Sequence, residues 1–144
     1  VLRHLFPLAG IPVVQLSLDY RKTPLQHYNL AKELAMLRQK GVLIIGSGNI
    51  VHNLRLIDWN RSDEGYDWAI ETDSRVRQLI LAHDHHSLIN YSKAGSAFNM
   101  AVPTPEHYLP LLYAIGLKGE KEEISFFNTK TIMGSISMTS VKIG

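Results

Sequence analysis

Val42-Leu43-Ile44-Ile45-Gly46-Ser47-Gly48-Asn49-Ile50-Val51-His52-Asn53-Leu54-Arg55 is the stretch whose reading decides the fold. Four apolar β-formers in a row, Val42 to Ile45, predict a strand buried on both faces. Gly46-Ser47-Gly48-Asn49 then ends that strand with residues that tolerate positive φ and close backbone approach. His52 follows at the strand's carboxyl end, the edge at which open α/β sheets bind ligands. A histidine there can act as a base or hold a metal.

Moving back along the chain, Thr23-Pro24 is a helix opening, with threonine as N-cap and proline in the first helical position. The helix is expected to run to about Lys40, with Tyr28, Ala31, Leu34 and Ala35 on one face and Gly41 just past its end. Ile11 to Leu18 predicts a strand before it. Strand, helix, strand makes a βαβ unit, which implies parallel strands and a right-handed crossover. Residues 1–6 read as the tail of an amphipathic helix stopped by Pro7.

Moving forward, Leu54 to Asp67 reads as a polar loop. A second helix is expected from Asp67 to about Ala82, with Trp68, Thr72, Val76, Leu79 and Ile80 inward. Ser87 to Tyr91 predicts a further short helix, and Lys93 to Val102 a loop. Thr104-Pro105-Glu106-His107 opens a third helix, whose first turn Pro110 should distort. Ile124 to Phe127 and Ser135 to Ile143 read as two final strands, the second half-exposed. The fold class that follows is α/β, with a central, mostly parallel sheet flanked by helices.

The 144 residues suffice for one domain with a core. A formal net charge of +2, with no basic stripe, argues against nucleic acid or a membrane surface as partner. No apolar run approaches the ~20 residues of a membrane span. The absence of cysteine excludes disulfides and thiolate metal sites and fits a reducing, cytoplasmic setting. The opening Val1-Leu2-Arg3-His4-Leu5-Phe6 looks like the middle of a helix, so an amino-terminal part is expected to precede it.

Each candidate for chemistry has a plainer alternative. His52 is a base or ligand, or a hydrogen-bonded loop histidine. His107 sits in the first turn of a capped helix, where a neutral imidazole is favoured and can bind metal. Glu106 beside it is a second ligand or an orienter, or it merely complements the helix dipole. His83-Asp84-His85-His86 looks metal-like, but neighbours on one segment rarely converge on one ion, and helix ends attract histidines. Gly46-Ser47-Gly48-Asn49 lacks the remainder of a phosphate loop or dinucleotide fingerprint. Ser47 lacks the Gly-x-Ser-x-Gly setting of a hydrolase nucleophile.

Three strings carry further information. Ile11-Pro12-Val13-Val14-Gln15-Leu16-Ser17-Leu18-Asp19, Ser47 to Arg55, and Pro103-Thr104-Pro105-Glu106-His107-Tyr108-Leu109-Pro110-Leu111-Leu112 closely resemble the DODA-type (4,5-DOPA) extradiol aromatic ring-opening dioxygenases. These belong to the LigB-like class III extradiol superfamily. Met133-Gly134-Ser135-Ile136-Ser137-Met138 also matches. The resemblance implies a single α/β domain with a non-haem metal, Fe(2+) or Zn(2+), at its edge, opening a catechol such as L-DOPA with O2 beside the diol. It implies that His52 is the base or a ligand and that His107 is a metal ligand, with Glu106 as the substitute. Chains of that family are about twice as long, and two metal-binding histidines lie in an amino-terminal half with no counterpart here. Residues 1–144 are therefore expected to be the carboxyl-terminal part of one catalytic domain, holding half a metal site. An apolar face left by a missing half would drive association, including homo-oligomers. The rival readings are a non-enzymatic binding protein like the Memo group, a metal-dependent hydrolase, and a truncated inactive product.

Overall fold

Capping chemistry sets the main helices. After the single turn α1 (Leu2–Leu5), α2 spans Pro24–Gln39. The Thr23 side chain accepts from the Gln26 N–H while the Gln26 side chain accepts from the Thr23 N–H, a complete capping box. Past its end Gly41 takes φ +80, as the sequence predicts. Helix α3 spans Asp67–Leu81 and buries Ala69, Thr72, Asp73, Val76, Leu79 and Ile80. His83 follows in a left-handed turn (φ +54), and Asp84 caps the short α4 (His85–Ile89). The expected loop at 93–102 instead contains α5 (Ser96–Ala101), which buries Phe98 and Ala101. The expected third helix is split. Pro105–His107 forms one 3-10 turn, and α6 (Leu109–Gly116) follows with Pro110 in its first turn, where its missing N–H costs nothing.

The computed structural model describes all 144 residues, Val1–Gly144. It mixes helix and strand, but the expected central, mostly parallel sheet is not formed. The ladders present are two antiparallel pairs. β1 (Ile124–Phe127) pairs with β4 (Ser140–Ile143), and β2 (Thr131–Ile132) pairs with β3 (Ile136–Ser137). The single strand expected over 135–143 is thus two strands with different partners, broken where the Thr139 N–H turns onto Ser137 Oγ. Residues 11–18 and 42–46 join no ladder. Their composition suits a strand, but no neighbouring segment offers them backbone partners.

The core lies between the helices. Ile50, Val51, Val76, Ile80, Leu88, Tyr108, Leu112 and Ile115 form its centre. Helix α2 packs along α6 so closely that a Cβ on Gly116 would come within 2.9 Å of the Ala31 Cβ. At the same crossing buried His27 shares a 2.9 Å hydrogen bond with the Tyr113 hydroxyl, and burial lowers the His27 pKa. Leu112 is fully buried, so Leu112→Ala should lower unfolding free energy by roughly 2–5 kcal/mol. Urea denaturation followed by circular dichroism will read this as a lower midpoint with unchanged slope.

Candidate active site

Two segments far apart in sequence meet at the turn after the Gly46-Ser47-Gly48 stretch. A Cβ on Gly46 would lie 2.8 Å from the Pro110 carbonyl oxygen, and one on Gly48 would lie 2.1 Å from that of His107. Only glycine allows the backbones to approach so closely. The Asn49 N–H then donates to the His107 carbonyl at 2.9 Å, fastening the two segments side by side.

The residues after Asn49 are held from several directions. The Asn49 side-chain amide donates to the Ser137 carbonyl, and the Ser137 N–H donates to the Val51 carbonyl. The His52 N–H donates to the Ala101 carbonyl at 2.9 Å, and His52 bridges to Ile136. Asn53 is nearly buried and uses every group it has. Its side-chain amide donates to the Met100 carbonyl at 2.7 Å, and its Oδ1 accepts from the Arg55 N–H. Its main-chain N–H donates to Ser135, and its carbonyl accepts from the Ser135 hydroxyl. Beneath β3, the Ser137 hydroxyl donates to buried Asp73, which also takes an ion pair from Arg77 at 3.0 Å. His107 is anchored through its neighbour. Tyr108 is fully buried, donates to the Leu88 carbonyl and packs on Tyr91 with centroids 4.5 Å apart.

The result is direct contact between His52 and His107. Their rings stack with centroids 3.5 Å apart and planes inclined by 17°. The His52 pKa is lowered, first by burial and then by the neighbouring His107, against the opposing pull of Glu106. Glu106 is held below the ordinary carboxylate range, first by a 2.6 Å bond from the Thr104 hydroxyl, with smaller help from the two imidazoles. Thr104 therefore orients Glu106 and does not cap a helix with its side chain. A neutral imidazole able to accept a proton, a second imidazole in contact, and a nearby carboxylate to stabilise positive charge are assembled here.

As a metal site this donor set is partial. No three histidine, aspartate or glutamate side chains are placed to hold one metal ion anywhere in the chain. The His83–His86 cluster is separate and structural. His85 bonds the Tyr28 hydroxyl at 2.7 Å, while Asp84 caps α4 through the Ser87 N–H and hydroxyl. The sequence reading missed the supports: Asp73, Ser135, Ser137 and Tyr108. Alternation hinted that Ser135 and Ser137 share a strand face, but nothing in the spacing linked them to Asn53 or Asp73.

A family model described as the catalytic LigB subunit of aromatic ring-opening dioxygenase matches residues 2–139. The chain belongs to the LigB family. Among LigB-type relatives, the 4,5-DOPA dioxygenase extradiol of Escherichia coli K12 is 40% identical over 149 residues, covering 100% of this chain and 54% of that protein. The 4,5-DOPA dioxygenase extradiol of Portulaca grandiflora is 36% identical, covering 94% of this chain and 50% of its own. That of Mirabilis jalapa is also 36% identical, covering 83% and 44%. A solved structure of an uncharacterized Escherichia coli K12 protein superposes with a TM-score of 0.91 at 39% identity, over 99% of this chain and 59% of that one. The chain thus spans about half the length of the curated relatives it matches.

The lowered His52 pKa makes a signed prediction. The unfolded chain binds this proton more readily than the native one, so stability is whole above the ordinary histidine range and falls as pH drops through it. His52→Gln should flatten the decline in urea midpoint between about pH 6.5 and 5 in metal-free buffer relative to the parent. An unchanged slope would remove this account of the imidazole's surroundings.

Proposed function

We propose that residues 1–144 are the carboxyl-terminal part of an extradiol dioxygenase catalytic domain, and that the complete protein opens a catechol such as L-DOPA with O2. The observation that carries this reading is the stacked His52–His107 pair in a chain of the LigB family. In that domain the runs 11–18 and 42–46 belong to a central, mostly parallel sheet.

His107 is the residue that would hold a non-haem metal, Fe(2+) or Zn(2+), and histidine suits either ion. Two imidazoles are too few for a stable site, so further ligands would come from chain outside these residues. The metal, when bound, supplies Lewis acidity toward the catechol oxygens and, as iron, the means to use O2. The residues present manage the proton. His52, kept neutral by burial, accepts a hydroxyl proton from the catechol on a ring nitrogen. Ionised Glu106 offsets the charge that then develops on the ring. The hydrogen bonds around Asn53 and from the His52 N–H hold the backbone that carries the ring.

The test is turnover by the complete gene product with L-DOPA and simpler catechols, in air and under argon, with and without added ferrous iron. Ring opening that needs O2 is expected. His52→Ala and His107→Ala should each lower kcat/KM by at least about 100-fold. Unchanged turnover in both variants would remove the site assignment. Hydrolysis of esters or amides without O2 would replace the reaction class.

A further inference from the structure

Neither the candidate site nor its supports use His27, the one fully buried histidine. It lies in the first turn of α2, where the helix's positive end disfavours a further positive charge. The crossing of α2 and α6 that it occupies is tight: a Cβ on Gly116 would meet the Ala31 Cβ at 2.9 Å and the Tyr28 carbonyl oxygen at 3.0 Å. The His27 Nδ1 shares the 2.9 Å hydrogen bond with the Tyr113 hydroxyl, while its Nε2 is buried with no partner. A neutral imidazole can leave Nε2 as a bare acceptor. An imidazolium carries two N–H donors, so protonation buries an N–H that nothing accepts.

The groups facing His27 do not relieve that cost. Burial is the largest influence on its pKa and lowers it. From the loop before α2, the Asp19 carbonyl and carboxylate pull the other way, and Lys22 adds to the lowering. The Asp19 carboxylate is itself engaged by the Arg21 main-chain N–H at 3.0 Å and the Arg21 guanidinium at 3.1 Å. On α6, Tyr113 is the one titratable residue, and burial raises its pKa, so it stays neutral. On α4, His85 is bonded to Tyr28. A protonated His27 therefore finds its missing partner most readily in water, which it reaches when the two helices part.

We propose that the His27–Tyr113 contact is an acid-sensitive latch on the candidate site: protonation of the buried ring parts α2 from α6 and releases the segment that carries His107. The coupling is short. Helix α6 begins at Leu109, two residues past His107. The carbonyls of His107 and Pro110 are the ones against which Gly48 and Gly46 are pressed. Movement of α6 therefore acts directly on the contact that sets His107 beside His52. The opened crossing binds the proton more readily than the closed one, so the latch is shut above about pH 6.5 and loosens as pH falls below it. The latch belongs to the fold and does not rest on the ring-opening chemistry.

Amide hydrogen exchange followed by NMR on the full 144-residue chain, at pH 7.5 and pH 5.0 and corrected for intrinsic rates, reads the opening of each helix. Protection in α6 should fall by about tenfold or more at pH 5.0. The Asn49 amide, which donates to the His107 carbonyl, should lose protection in step with it. Amides of α3 report opening elsewhere and should lose less. Unchanged protection in α6, an equal loss in α3, or an Asn49 amide that stays protected while α6 opens each overturns the proposal. His27→Gln removes the titrating ring and should abolish the acid loss in α6, whereas a loss as large as the parent's overturns the latch. Asp19→Asn leaves the crossing itself untouched and keeps the test decisive if His27→Gln does not fold. With the pull toward the charged ring weakened, the acid loss should move to lower pH; a midpoint that stays or rises overturns the proposal.

Discussion

Contact between the two imidazoles depends on the missing side chain at Gly48. With a Cβ there, the backbone could not pass the His107 carbonyl, and the hydrogen bond from Asn49 that follows would open. Hydrophobic burial brings Val51 and Tyr108 into one core, but burial has no direction and would accept many registers. The close approach at Gly46 and Gly48 selects one register. The ring stacking and the lowered His52 basicity both follow from it.

A second level of control comes from buried polar groups. Asp73, nearly buried, would be costly without partners, yet it is satisfied by Arg77 and the Ser137 hydroxyl. Ser137 in turn lies on β3, whose Ile136 bridges to His52. Helix α3 therefore bears on the candidate site through β3. Asn53 plays the matching part from the other side, tying the strand region at Ser135 to the end of α5 at Met100.

Local chemistry was legible in the sequence and long-range pairing was not. The Thr23-Pro24 opening, the Gly41 stop and the α3 stripe are short-range signals, and each has its expected counterpart. α5 escaped because Gly95, Ser96 and Asn99 mask its two buried residues, Phe98 and Ala101. The strands at 11–18 and 42–46 failed for a different reason. Composition reports a segment's readiness to pair, but a ladder needs a neighbour, and here the neighbour is absent. His52 and His107 stood out because each follows a structural break, a glycine turn in one case and a proline-marked helix start in the other. Their contact could not be read from spacing, since it is made by backbone approach across more than fifty residues of intervening chain.

The network around Asn53 also bears on ligand discrimination. Rings stacked on each other and carried by backbone that this network holds lose little rotational freedom when a ligand arrives. Most of that ordering cost is met during folding. Two ligands of similar size would then differ in how long they stay more than in how fast they arrive, so selectivity at this edge is set by residence time.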